Sequence, residues 1–173
     1  MKEIKIGDQV WMAENLDIDD GGEGIFHRDG QTYYTWEAAM RVTKNLEGWH
    51  LPTKAEFETL IKNCGGKVSA GAALKSAAGW KRDSNGTDAF GFSALPAGYR
   101  SSGGSFNNQG YYAYFWSSSE YSSDYAYSMY LSCSYGTAYL NYDYKDNGFS
   151  VRCLRDEGRL QAMLELAKNF KEV

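Results

Sequence analysis

The spacing of apolar side chains changes several times along this chain, and each change predicts an element. Residues 4–7 and 9–12 read as short strand pieces around a Gly7-Asp8 turn, and residues 17–24 as an acidic, glycine-rich loop. A helix is predicted over 36–46, with Trp36, Ala39, Met40 and Val42 as its apolar contacts and Glu37 and Glu47 on its polar side. Thr35 can cap that helix and Gly48 can end it. A second helix is predicted over 54–64, where Phe57, Leu60 and Ile61 fall on one face. Thr53 and Glu56 stand at capping-box spacing, and Gly65-Gly66 stops the run. Residues 70–88 are rich in small side chains and read as loop, anchored by Leu74 and Trp80. Residues 90–100 read as a buried strand entering a turn, 101–110 as a surface loop, and 112–117 as an aromatic strand.

Strict alternation follows. In a strand over 126–132, Tyr127, Met129 and Leu131 share one side and Ser128, Tyr130 and Ser132 the other. The first set suits a core, and the second is a row of hydroxyls expected to face out. Residues 148–154 repeat the pattern, with Phe149, Val151 and Cys153 expected inward and Ser150 and Arg152 outward. Residues 134–147 between them add more Tyr, Asn and Asp, with Gly136 and Gly148 as turn residues. Beyond Asp156, Leu160, Met163, Leu164 and Ala167 recur at helical spacing, followed by Phe170. That predicts an amphipathic helix over 157–173, open to two readings: docking on its own domain, or self-association. The layout is one α+β domain over 1–156 with a terminal helix.

Composition narrows the function. At 173 residues the chain can bury a substantial core in one domain, and a net charge of −4 gives no electrostatic footprint for nucleic acid. No apolar run approaches the ~20 residues of a membrane-spanning helix, so no membrane insertion is expected. The N-terminal MKEIKIGDQVWMAENLD lacks the apolar core of a signal peptide. The expectation is a cytoplasmic or phage-associated protein, or a cell-surface protein trimmed of its export signal. Cys64, Cys133 and Cys153 make an odd count without metal spacing and read as buried or incidental thiols. His50, between the two helices, reads as a structural hydrogen-bonder, and His27 lies in a polar loop. Asp83, Asn85 and Asp88 lack the glycine and terminal glutamate of an EF-hand loop and read as a turn. No metal, cofactor or catalytic group is expected from these residues. What stands out is tyrosine: 11 of the 14 fall between Tyr111 and Tyr144, among Ser, Gly and Asn. Antibody loops use this mix, because Tyr offers a large amphipathic surface with little side-chain entropy to lose.

Six strings, VWMAENLD, TWEAAM, GWHLPTKAEFETLI, GTDAFGFSALPAGYR, FWSSSE and GFSVRCLRD, together resemble the Fibrobacter succinogenes major paralogous domain family. That family is similar in fold to C-type lectin domains and to formylglycine-generating enzyme. The resemblance implies a C-type-lectin-like α+β domain: two helices packed on a twisted antiparallel sheet, with long loops. Formylglycine-generating enzymes rely on a closely spaced redox-active cysteine pair, whereas Cys133 and Cys153 are twenty residues apart here. The Glu-Pro-Asn and Trp-Asn-Asp motifs of calcium-dependent sugar lectins do not occur.

Residues 117–153 also resemble the hypermutated segment of variable proteins of diversity-generating retroelements. In those proteins AAC codons become NNC, which cannot encode Trp, Lys, Glu, Gln or Met. Between Ser117 and Asn147 only Glu120, Met129 and Lys145 fall outside that rule. The resemblance implies a diversified ligand surface formed by Tyr121, Asp124, Tyr125, Ser128, Tyr130, Ser132, Cys133, Ser134, Tyr135, Tyr139, Asn141, Tyr142, Asp143 and Tyr144. The function expected is non-catalytic display of that surface to an unknown protein or glycan ligand. The alternatives are a fixed-specificity carbohydrate- or protein-binding module, or an enzyme related to formylglycine-generating enzyme.

Overall fold

In the computed structural model, which describes residues 1–171, the opening strand pieces form a hairpin, β1 (Glu3–Ile6) and β2 (Gln9–Met12), turning at Gly7 with φ +60°. A second hairpin, β3 (Ile25–Arg28) and β4 (Gln31–Tyr34), leads into α1 (Trp36–Lys44). Thr35 caps α1 by accepting the Ala38 N–H, and the helix buries Ala38, Ala39, Val42 and Thr43. It stops at Lys44, short of the expected end, because Asn45 leaves helical geometry. After β5 (Trp49–His50) comes α2 (Lys54–Asn63), whose capping box is complete: Thr53 accepts the Glu56 N–H, and Glu56 accepts the Thr53 N–H. Gly65 and Gly66 end it at positive φ.

The stretch expected to be loop begins inside a helix, α3 (Lys67–Leu74). Its small residues are what permit the helix, since a Cβ on Gly71 would lie 2.5 Å from the Thr137 carbonyl oxygen. Only a helix without a side chain there can lie so close to the neighbouring turn. The expected strand over 90–100 is likewise corrected. Phe92 and Ala94 are buried, but Ser93 sits at φ +51° and breaks the extended run, leaving only the short β6 (Tyr99–Arg100) paired with β7 (Phe106–Asn107).

The centre of the molecule is an antiparallel sheet of β8 (Tyr112–Glu120), β9 (Tyr125–Ser132) and β10 (Ala138–Tyr144), in the order β10-β9-β8. On one side Ala113, Phe115, Met129, Leu131 and Ala138 pack with Phe57, Leu60 and Ile61 of α2 and Ala70 and Leu74 of α3. On the other, Trp116 and Ala126 join a second core with Ala38, Ala39 and Val42 of α1. Residues 149–151 run alongside β8 and β4, with Trp116 N–H donating to Ser150 and Tyr34 N–H to Phe149. The chain then reaches β11 (Leu154–Arg155), which sits between β2 and β5 in a four-stranded sheet, and α4 (Glu157–Lys171). The result is a mixed α+β fold with several small antiparallel sheets.

Because this layer is covered on both sides, two expectations fail. Ser150 and Arg152 are buried rather than solvent-facing, at 1% exposure each. Ser128 is buried as well, for the same reason. Alternation told which side each residue takes, but not that both sides are roofed. In α4 the described apolar side chains Met163, Leu164, Leu166 and Phe170 are exposed rather than packed on the domain. The side chain of Leu160 and residues 172–173 lie outside the described residues. Among the described residues no helix is long and apolar enough to cross a membrane.

Candidate functional site

Alternation along β9 and β10 sorts the candidate residues onto two sides of the central sheet. On the α2 side, the row that begins in the core with Leu131 and Met129 runs out past the helix into Tyr127 and Tyr125, paired across to Tyr142 and Tyr144. Tyr121, just beyond β8, completes this cluster. Its ring stacks on Tyr142 with centroids 3.9 Å apart and meets Tyr127 edge-on at 5.7 Å. Tyr125 meets Tyr142 edge-on and lies against Tyr144 at 4.5 Å. A hydrogen bond with Tyr144 pushes the Tyr125 phenol up to about 12, so that phenol is neutral over the physiological range. Lys54, at the start of α2, places its ammonium 4.8 Å above the Tyr127 ring and borders the cluster with a cation.

The opposite side carries a rung of three rings drawn from three strands, Tyr114, Tyr130 and Tyr139, with successive centroids 6.0 and 4.8 Å apart. Tyr112 stacks on Tyr114 at 5.6 Å, and Tyr99 meets Tyr114 edge-on at 5.3 Å. Asn141 is exposed beside this rung. Asp143 is half-buried and accepts a 2.7 Å hydrogen bond from Ser128. Burial raises the Asp143 carboxyl above its ordinary range, and the Ser128 hydroxyl only partly offsets that.

The fourteen candidates therefore do not form one patch. Tyr121, Tyr125, Tyr142 and Tyr144 gather on the α2 side; Tyr130, Tyr139, Asn141 and Asp143 gather on the other. Asp124 is exposed at the tip between β8 and β9, and its carbonyl accepts the Lys145 N–H. Ser134 and Tyr135 are exposed in the turn between β9 and β10 at the far end of the sheet. The solvent-facing expectation is wrong for three residues. Ser128 lies under the second core, Ser132 turns inward to accept the Ser134 N–H, and Cys133 packs into the first core. The sequence reading also left out Tyr99 and Asn147, which reach the Asp143 side from outside the tyrosine-rich strands. Tyr112 and Tyr114, expected only as part of an aromatic strand, lie on that side too, and a period of two along β8 could have placed them.

The frame that holds these rings is made of other residues. Lys145 pairs with Glu120, donates to the Ser123 carbonyl at 2.9 Å, and covers the Trp36 ring at 4.5 Å. Trp36 Nε1 donates to the Ser117 carbonyl, the Ser118 N–H to Pro52, and the Lys54 N–H to the Ser119 hydroxyl. Strand β8 is thereby tied to the starts of both α1 and α2. His50 bridges Asp156 at 2.6 Å and Glu56 at 2.7 Å, joining the α2 cap to the end of β11. The thiols are free and buried. Burial pushes Cys64 up to about 11 and Cys153 up to about 12, away from the reactive thiolate. Asn85 accepts the Trp80 N–H and Asp88 the Ser93 N–H, so the oxygens of that loop serve its turn. Among the described residues no group of three or more His, Cys, Asp or Glu is placed to hold a metal ion.

Fold and site together define an α+β domain that presents aromatic side chains from a central antiparallel sheet. Residues 4–155 match the family model of the Fibrobacter succinogenes major domain, and the chain belongs to that family. Comparisons with curated proteins and with solved structures give no match.

Proposed function

We propose that this is a non-catalytic, receptor-like protein that displays a diversified surface on a C-type-lectin-like scaffold, in the manner of retroelement variable proteins. Its ligand is a protein or glycan. The observation that carries the reading is a division of labour within residues 117–147. The three residues that an NNC codon cannot supply all have scaffold roles: Met129 is fully buried, and Glu120 pairs with Lys145 to clamp the hairpin tip onto Trp36. Exposed positions in the same segment, Tyr121, Tyr135, Tyr142 and Tyr144 among them, carry residues that such codons can supply. Exposed aromatic rings held in stacks offer contact area with little ordering left to lose on binding. The buried thiols favour this reading over an enzyme that needs a reactive cysteine pair.

The test is the genomic DNA around the gene. A near-copy of the segment encoding residues 117–153, differing only where it has adenine and lying beside a reverse transcriptase, is the expected result. Absence of such a copy sinks the diversified reading and leaves a fixed-specificity binder to be screened against glycans and surface proteins. The exposed Met163, Leu164, Leu166 and Phe170 of α4 favour a second element, self-association through that helix. An unchanged mass in size exclusion after truncation at Asp156 would count against it.

A further inference from the structure

On the side of the sheet away from α2, Tyr99, Tyr114, Asp143, Asn147 and Phe149 line a recess of about 120 Å³. Three of them make an aromatic corner. Tyr114 stacks on Phe149 at 4.9 Å and 18°, and Tyr99 stands edge-on to both, at 5.3 and 6.1 Å. Asp143 supplies the polar wall. Its Oδ2 accepts from Ser128, while Oδ1 has no hydrogen-bond partner and the carboxylate no ion pair among the described residues. Asn147 Oδ1 takes the Ser102 N–H, which leaves its amide N–H groups available beside the carboxylate.

Resting on the reading of this sheet as a ligand surface, we infer that the recess seats the guanidinium of an arginine carried by a protein ligand. Two properties select that group. First, a half-buried carboxylate without a counter-ion is costly until a cation reaches it, and a guanidinium brings charge and a donor fork matched to carboxylate geometry. The same planar cation stacks on an aromatic face. Tyr99 is the ring of this corner without a stacked neighbour, since Phe149 lies between Tyr114 and Trp116, and Tyr114 stacks on Phe149 and Tyr112. Second, size discriminates. An engineered apolar cavity that holds benzene measures about 150 Å³. A recess slightly smaller takes a flat group of four heavy atoms, whereas a pyranose with its ring of hydroxyls exceeds it and brings no charge to Asp143. The ligand class at this point of the surface is therefore protein rather than glycan.

The probe is Nα-acetyl-L-arginine amide titrated into the full chain, with the Asn147 side-chain amide followed by NMR. Nα-acetyl-L-citrulline amide, of the same shape but neutral, and a methyl glucoside are the comparisons. Saturable shifts with the arginine probe are expected, about tenfold weaker with citrulline and about tenfold weaker in Asp143→Asn. An unchanged thermal midpoint or a raised one shows that the Asp143→Asn variant is folded. Equal shifts from citrulline, shifts from the glucoside alone, or no shift from the arginine probe would each overturn the inference. None of these outcomes bears on the template-copy search, and absence of a template copy leaves this titration to stand by itself.

Discussion

The rings of Tyr121 and Tyr142 lie face to face, 3.9 Å between centroids and 3° from parallel, although Tyr121 is 51% and Tyr142 41% exposed. One comes from the tip after β8 and the other from β10, so the stack bridges the ends of two strands that are not neighbours. Aromatic pairs contribute about 0.5–1.5 kcal/mol beyond area burial. Tyr142→Ala should therefore cost about 1 kcal/mol in urea unfolding. A ligand seated on this face should lose ~2 kcal/mol or more, roughly 30-fold in Kd. A ligand that binds Tyr121→Ala and Tyr142→Ala as tightly as wild type does not use this face.

The Asp143 carboxyl is raised by burial, and the sign of its effect on stability follows from that. In acid both folded and unfolded chains hold its proton, so it makes no difference. As pH rises past the ordinary aspartate value of about 3.9, the unfolded chain releases the proton first and stability falls. The loss is complete once pH passes the raised folded value. An amide at this position keeps an oxygen for the Ser128 hydroxyl and carries no charge. Thermal midpoints of wild type and Asp143→Asn should coincide near pH 3, with the variant higher at pH 7. A variant lower than wild type at pH 7 would show that the charged carboxylate is stabilised by something other than Ser128.

The sequence made the helix starts and the sides of the strands legible, because both follow from local rules. Thr35, Thr53 and Glu56 announced their caps by spacing, and Met129 and Leu131 were placed in the core by alternation. What stayed hidden depends on neighbours far along the chain. Ser128 and Arg152 read as outward because a period of two cannot reveal a second roof, here the α1-side core over Ser128 and Asn15, Phe92 and Ser93 over Arg152. The helix α3 was hidden by its small residues, whose purpose is the close approach of Gly71 to Thr137. For the candidate site, the tyrosine-rich segment was visible from composition. Its division between two sides of a sheet was not, and neither were Tyr99 and Asn147, which join it only through tertiary contact.

Thr53 holds a position where local and distant structure meet. Its hydroxyl accepts the Glu56 N–H, while the Glu56 carboxylate accepts both the Thr53 N–H and a contact from His50. Loss of an N-cap hydroxyl typically costs ~1 kcal/mol, so Thr53→Ala should lower the urea-unfolding free energy by about that much. Thr53→Ser, which keeps the acceptor, should stay close to wild type. A Thr53→Ala chain with unchanged stability would mean that Glu56 and His50 hold the start of α2 without the cap.

Arg152 is the test of the two-sided core. It is 1% exposed, and its donors reach Asn15 Oδ1 at 2.7 Å and the carbonyls of Phe92, Ser93 and Met12 at 2.5, 3.1 and 3.3 Å. The guanidinium also lies 4.6 Å from the Phe92 ring and 5.7 Å from that of Phe115. Burial pulls its pKa down to about 9, which still leaves it protonated at neutral pH. Arg152→Met fills much of the same space but strands several buried acceptors, each costing roughly 1–3 kcal/mol. A loss of roughly 3–5 kcal/mol is expected, comparable to breaking a buried ionic network. Arg152→Lys retains the charge but cannot fork to separate carbonyls, so it should recover only part of the loss. Urea unfolding of the three chains checks the order wild type, then lysine, then methionine. Methionine equal to wild type would mean that these carbonyls find water, and that the layer around residues 149–153 is open to solvent after all.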